Sequence, residues 1–442
     1  MNKDKIGLKR HLSTIFTSVG TAAIFFCLTS GTRAWGDSLN DWLNQSTMTG
    51  NWGGVRTNLE QEGINIFGSF GQQFGDDVIG GKQQGFDYDQ QIVLGVDFDL
   101  QKLLGLNGAI IHFVLNDRAG RNISSDDVGD VQELYGLFGA GENFHMQALT
   151  YEQKLFHNRV NLLIGYYSSG NEFAFSPVLC HFATNALCGH PFALPADTKG
   201  FFTAPDAQLG GRIKIYVTPS TYFMTGLFDV NPPISGTDDN GFKFGLVNST
   251  GAIELTEIGQ QVSLGPSHLI GHYKIGGYYD SSVVADVANP KVLESGGRYG
   301  GYAIADQMIY SLNSNSSRGL IVFANASIND KRTSLVESFY GAGFVFLGPF
   351  SQRPFDSFNF GWAKSDVNKL ALNAAYENAI AKNDPLFGLE NAEQLFEINY
   401  NFQIAPWLSV RPTVDYVLNP GALHLERFPD AWVFGAQTGV TF

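Results

Sequence analysis

From Ile64 to Phe442 the chain alternates apolar and polar side chains again and again with a period of two. Ile92, Leu94, Val96, Phe98 and Leu100 interleave with Gln91, Val93, Gly95, Asp97 and Asp99. Ile213, Ile215 and Val217 interleave with Arg212, Lys214 and Tyr216, and Phe396, Ile398, Tyr400 and Phe402 with Glu397, Asn399, Asn401 and Gln403. The final stretch sets Trp432, Phe434, Ala436, Thr438, Val440 and Phe442 against Val433, Gly435, Gln437, Gly439 and Thr441. Such a period describes a strand with two unlike faces. The second face here is slim and wet, as a confined aqueous space requires, while the first suits lipid.

Sixteen strands are predicted, over 64–75, 90–101, 107–117, 143–153, 159–168, 209–218, 221–230, 252–262, 268–280, 299–311, 318–328, 339–347, 356–365, 393–403, 407–418 and 430–442. Apolar parity switches within 252–262 and 299–311, as a bulge would make it do. The Ala- and Asn-rich stretch within 369–382 reads as a loop helix. Connections after even-numbered strands are short, while those at 118–142, 169–208, 231–251, 281–298 and 366–392 are long. Turns on one rim and loops on the other mark a transmembrane barrel with both termini on the turn side. The fold class is therefore all-β, a 16-stranded antiparallel barrel of the bacterial outer membrane.

Residues 35–63 precede the barrel and hold a short periplasmic helical segment, with Val55 and Leu59 on one face, Arg56 and Glu60 four apart, and Gly63 at its stop. Residues 1–34 read as a signal peptide: Lys3, Lys5, Lys9 and Arg10 open it, Leu12 to Leu28 is apolar, and Thr32-Arg33-Ala34 offers the cleavage site. The domain plan is thus leader 1–34, periplasmic segment 35–63 and pore domain 64–442. The precursor's formal charge of −14 becomes more negative once the basic leader is gone, which argues against nucleic acid as a partner.

Cys27 falls in the leader, leaving Cys180 and Cys188. In an oxidising compartment the remaining pair has one possible connectivity, a small disulfide loop, with two free thiols as the alternative. Neither spacing nor neighbours suggest a metal or any other cofactor. SSDDVGD at 124–130 reads as a solvated acidic loop rather than a cation site, and His268 and His272 lie too far apart on a strand to share a metal.

The stretch GNWGGVRTNLEQEGI at 50–64 resembles the N-terminal signature of the carbohydrate-selective porins of the OprB family, through Gly50, Trp52, Gly53, Gly54, Arg56, Leu59, Gly63 and Ile64. Asn51 stands where that pattern has Asp. SPVLCHFATNALCGHP at 176–191, FDVNPP at 228–233, DQMIY at 306–310, GPFSQRPFDS at 348–357 and FEINYNFQIAPWLSVRPTVDYVLNPG at 396–421 match in the same order. The resemblance implies an outer-membrane pore for monosaccharides, in some members for polyols or other small solutes. It implies as partners small sugars or polyols, outer-membrane lipid and lipopolysaccharide, the outer-membrane insertion machinery, and a monomer or a homotrimer. It also implies that loop 169–208 turns inward as a constriction stiffened by Cys180 and Cys188; a loop stapled on the outer surface is the alternative.

A passive pore needs donors, acceptors and ring faces that replace lost water, with both signs of charge present. Lumen parity nominates Asp97, Asp99, Arg212, Lys214, Asp229, His272, Lys274, Glu397, Arg411 and Asp415 as lining residues. A three-residue turn in the hairpin 393–418 would put Arg411 opposite Asn399 and diagonal to Glu397. Each of these residues also suits a structural ion pair in the wall. Trp362, Tyr400, Trp407, Tyr416 and Trp432 share the lipid-facing parity and suit interfacial girdles. Three rival readings compete, one of them a structural or adhesive barrel with a plugged lumen. A barrel enzyme such as a lipase would show a G-x-S-x-G or H-E-x-x-H motif, which the chain lacks, and a porin for organic acids would have a more cationic lumen.

Overall fold

A strand with one greasy and one wet face leaves no exposed edge only if its sheet closes on itself. The computed structural model of the protein, which describes residues 39–138, 143–231, 240–246, 248–312, 317–382 and 389–442, shows that closure. The leader 1–34 lies outside the described residues, as do Pro232 and Pro233 of the 228–233 motif. The first eight barrel strands are β1 (Ile64–Ile79), β2 (Gly85–Asp99), β3 (Ala109–Gly120), β4 (Asn143–Leu155), β5 (Val160–Tyr167), β6 (Gln208–Thr218), β7 (Thr221–Val230) and β8 (Gly251–Leu264). The rest are β9 (Leu269–Asp280), β10 (Arg298–Ser311), β11 (Gly319–Ile328), β12 (Val336–Leu347), β13 (Ser357–Val367), β14 (Ala392–Ala405), β15 (Leu408–Leu418) and β16 (Ala431–Thr441). Each pairs antiparallel with its neighbours in sequence, and β16 closes on β1 with Gly71 opposite Gly439.

All sixteen predicted strands are present, and the long connections share one rim. The first loop is the exception. Because β1 continues to Ile79 and β2 begins at Gly85, only residues 80–84 join them. The helix expected in the seventh long loop runs from Lys369 to Lys382.

The N-terminal helix α1 (Val55–Glu62) ends where Gly63 takes φ 101°, a left-handed cap that only glycine adopts without strain. Its Arg56 explains the GNWGGVR motif. One guanidinium nitrogen donates to Phe442 O at 2.6 Å and Ile66 O at 3.2 Å, the other to Thr47 Oγ1 at 2.6 Å and Gly50 O at 3.0 Å. Trp52 stacks on the group at 4.7 Å. Arg56 thus fastens the N-terminal segment across the seam where the last strand meets the first. Trp407 joins the same clasp. It is only 4 % exposed, stacks on Trp42 at 4.5 Å and donates to Trp42 O, so it belongs to this anchor and not to a lipid girdle. Arg56→Ala removes charge-assisted bonds worth about 1.5–3 kcal/mol each. The detergent-solubilised variant is expected to unfold at a clearly lower temperature; an unchanged heat-unfolding profile would show that the clasp is dispensable.

The barrel's apolar core lies inside it. Loop L2 (121–142) and loop L3 (168–207) turn into the lumen. Leu134, Tyr135, Leu179, Phe182 and Leu187 pack on Phe323, Phe339, Leu395 and Val433 of the wall. A second cluster packs Phe173, Leu194 and Phe201 of L3 on Phe228, Ile253, Leu255, Tyr302 and Ile304. Here lies the reason for the parity switch in 252–262: Ile253 and Leu255 face inward, both 0 % exposed, because a loop covers them. The register of β8 is continuous with both neighbours, so no bulge is involved. In β10 a register shift does occur, between Met308 and Tyr310.

Candidate functional site

Loops that enter a water-filled barrel must have their backbone N–H groups satisfied. Buried carboxylates of the wall do this. Glu257 on β8, 1 % exposed, accepts from Ala174 N at 2.8 Å and from the hydroxyls of Tyr222 and Tyr302 at 2.5 and 2.8 Å. Glu397 on β14 accepts from Ala183 N at 2.9 and 3.1 Å and from Thr184 N at 3.0 Å. Glu393 holds L2 through Val131 N and Gln132 N, both at 2.9 Å, and Asp89 accepts Phe138 N at 3.2 Å. The two loops also grip one another. Asn185 donates from its backbone to Glu133 O at 2.9 Å and from its side chain to Glu133 Oε2 at 2.8 Å, while Thr184 Oγ1 adds a bond to Glu133 O at 3.1 Å. Charge-assisted bonds of this kind are the stronger class. L2 and L3 therefore form a fixed narrowing across the upper lumen.

The residues nominated from parity divide among several places. Asp97 is on the inner wall, bound to His112 Nδ1 at 2.7 Å, and His112 reaches Glu152 at 3.4 Å on the other side. Arg212 pairs with Glu172 of L3 at 2.7 Å. Lys214 lies over the Tyr222 ring at 4.0 Å. His272 meets Asp306 at 2.8 Å, and Lys274 donates to Phe175 O of L3. These form a belt on the inner wall from β2 to β10.

The others sit differently. Asp99 caps the rim helix α2 (Leu100–Leu104), accepting from Gln101 N at 3.0 Å and Lys102 N at 3.3 Å. Asp229 follows the inward Phe228, so it takes the opposite parity and bonds Ser249 of the next loop. Glu397 and Asp415 are both 0 % exposed, cross-strand partners beneath L3, because the inward loops cover them. Arg411 is opposite Gln437, with its guanidinium on Gln437 Oε1 at 2.8 Å, while Thr413 takes the place opposite Asn399. Strand pairing persists to Ala405 and Leu408, leaving a tighter turn at 406–407 than the three residues assumed, which moves the register by two.

Two charged residues at the narrowing were missing from the sequence-based set. Arg118 is the last inward residue of β3, 6 % exposed, donating to Gly136 O of L2 at 3.3 Å within the fields of Asp206, Asp89 and Glu133. It lay one residue beyond the predicted strand end, although its even parity after His112 and Asn116 was the available signal. Glu133 itself, at φ 50°, belongs to a loop with no periodicity to read. Burial pushes its carboxyl upward.

Cys180 and Cys188, the pair expected to bridge, lie in contact with each other within L3, without a bond between them in this structure. The wall carboxylates and the grip on L2 supply the stiffness a bridge would have given. Beside them, burial brings His181 down to about 4 with Arg411 adding to the effect, so this histidine is neutral at physiological pH.

The family model described as carbohydrate-selective porin, OprB family, matches residues 83–442. Porin B of Pseudomonas aeruginosa is 30% identical over 427 residues, covering 90% of this chain and 92% of that protein. The putative porin QuiX of Acinetobacter baylyi is 28% identical over 430 residues, covering 91% and 95%. Among solved structures, the high-pH structure of Pseudomonas putida OprB superposes with a TM-score of 0.84 at 28% identity, covering 90% of this chain and 99% of that one.

Proposed function

We propose a route for the solute from one premise: the chain belongs to the OprB family of carbohydrate-selective porins. It is an outer-membrane channel for sugars. Monosaccharides are its main cargo on our reading, and they cross beside the joined loops L2 and L3, past Arg118 and Glu133.

The supporting observation is the pairing of opposite charges at the narrowing. A sugar hydroxyl can accept from Arg118 and donate to Glu133, recovering hydrogen bonds lost with its water. Neither sign prevails, so a neutral polyol gains more than a simple ion does. An organic anion meets Glu133 beside Arg118 there and finds no net attraction. The belt from Asp97 to Lys274 keeps the wall hydrated, with its acids Asp97, Glu172 and Asp306 engaged by His112, Arg212 and His272.

Liposome swelling with a panel of sugars, polyols and carboxylates tests this reading. Monosaccharides are expected to enter faster than organic anions of similar size. Equal or reversed rates would overturn the selectivity.

A further inference from the structure

Below the narrowing, the wall at the barrel seam has a gap in its side chains. One lumen row crosses four strands as Gln91, Gly71, Gly439 and Ser409, in direct register. Its two middle members are glycines, so the wall there is bare backbone between an amide and a hydroxyl. The row above carries Gln73, Gln437 and Arg411. Leu137 of L2 reaches down onto the gap: a Cβ on Gly71 would stand 3.1 Å from Leu137 Cδ1 and 3.7 Å from Gln91 Cγ. A cavity of about 240 Å³ results, lined by Gln91, Leu137, Gln437 and Ser409 around the glycine pair.

The chemistry of the lining is specific. Arg411 has no carboxylate within ion-pair distance among the described residues, and its buried Nε has no hydrogen-bond partner. Glu397, the nearest candidate, already accepts from Ala183 and Thr184. Arg212, His112 and His272, by contrast, are all engaged by carboxylates. Two amides and a hydroxyl thus surround one apolar side chain, and the Arg411 guanidinium fixes one of those amides through its bond to Gln437 Oε1.

We propose that this cradle is a second solute-holding site, on the periplasmic side of the narrowing, for a neutral ring sugar. The ring's C–H face lies on Leu137 and its hydroxyls bond Gln437, Gln91 and Ser409, with Arg411 acting as the positioning residue that orients Gln437. The glycine pair leaves room for the ring against the wall. This rests on the sugar-porin reading and adds to it a place where the solute pauses.

Single-channel current block by glucose, compared with the open-chain polyol mannitol, tests the site in planar bilayers. Wild type is expected to show saturable block by glucose at lower concentration than by mannitol. Arg411→Gln should raise the half-blocking glucose concentration about tenfold, as loss of the bond that orients Gln437 implies. Gly439→Leu, which fills the cradle, should abolish saturation, and Leu137→Asn should erase the preference for the ring. Should Gly439→Leu fail to fold, Gly439→Ala serves, since its Cβ meets Ser409 Oγ at 2.9 Å. Unchanged half-blocking concentrations in the Arg411 and Gly439 variants would overturn the proposal. So would a wild type that swells liposomes in glucose without saturable block, which leaves sugar passage intact; absence of swelling would overturn the porin reading itself.

Discussion

Replacing both Glu257 and Glu397 by alanine is expected to raise single-channel conductance in KCl several-fold and to admit solutes the wild type excludes. Each carboxylate anchors a different arm of L3, Glu257 at Ala174 and Glu397 at Ala183 and Thr184. Hydrogen bonds to a charged acceptor contribute about 1.5–3 kcal/mol apiece. Losing one set leaves the other arm held, so the single variants should change conductance less than the double. With both gone, three backbone N–H groups lose their acceptors, and water in the opened lumen satisfies them more easily than the apolar wall can. The hydroxyls of Tyr222 and Tyr302 and the Asn399 amide lose a partner as well, but the backbone ladder between strands carries none of these bonds, so barrel assembly should survive and the folded, heat-modifiable band should persist. A double variant with wild-type conductance and exclusion limit would mean that apolar packing alone holds the loop.

Alternation was legible wherever a strand has lipid on one face and water on the other, which is why all sixteen strands, the sorting of the loops and the N-terminal helix could be read from residue order. It failed where a loop replaces the water. Ile253 and Leu255 look like a slip of register, yet they are inward residues covered by L3. Glu397 and Asp415 look like lumen charges for the same reason, and a loop hides them. No local pattern reports which loop enters a barrel, because the partners are far apart in sequence: Glu397 and Ala183 are separated by most of the pore domain. Arg118 was lost to a boundary error, and Arg411 was misplaced by a turn one residue too long. Asp229 shows the finest limit, since on β7 the apolar Met224, Phe228 and Val230 take the inward face and leave it on the other.

Phe228→Ala is expected to cost about 3–5 kcal/mol, the usual range for deleting a buried aromatic ring. The ring is 1 % exposed and faces the lumen, not lipid. It meets Tyr167 edge-on at 5.3 Å and Phe173 of L3 edge-on at 6.0 Å. Its seat is made by glycines: a Cβ on Gly210 would lie 2.1 Å from the ring, and one on Gly226 2.9 Å. Those glycines cannot move in to fill the space the ring vacates, so a cavity remains beneath L3. Glu257 still holds Ala174, next to Phe173, so the loop stays attached while its packing loosens. Mean conductance should therefore stay close to wild type, in contrast to the double carboxylate variant, while the unfolding temperature falls and L3 becomes more susceptible to added protease. Phe434→Ala provides the comparison, because that ring points outward and is 50 % exposed, leaving the loop's seat untouched. Equal protease resistance of L3 in the Phe228 and Phe434 variants would show that the inner cluster does not hold the loop.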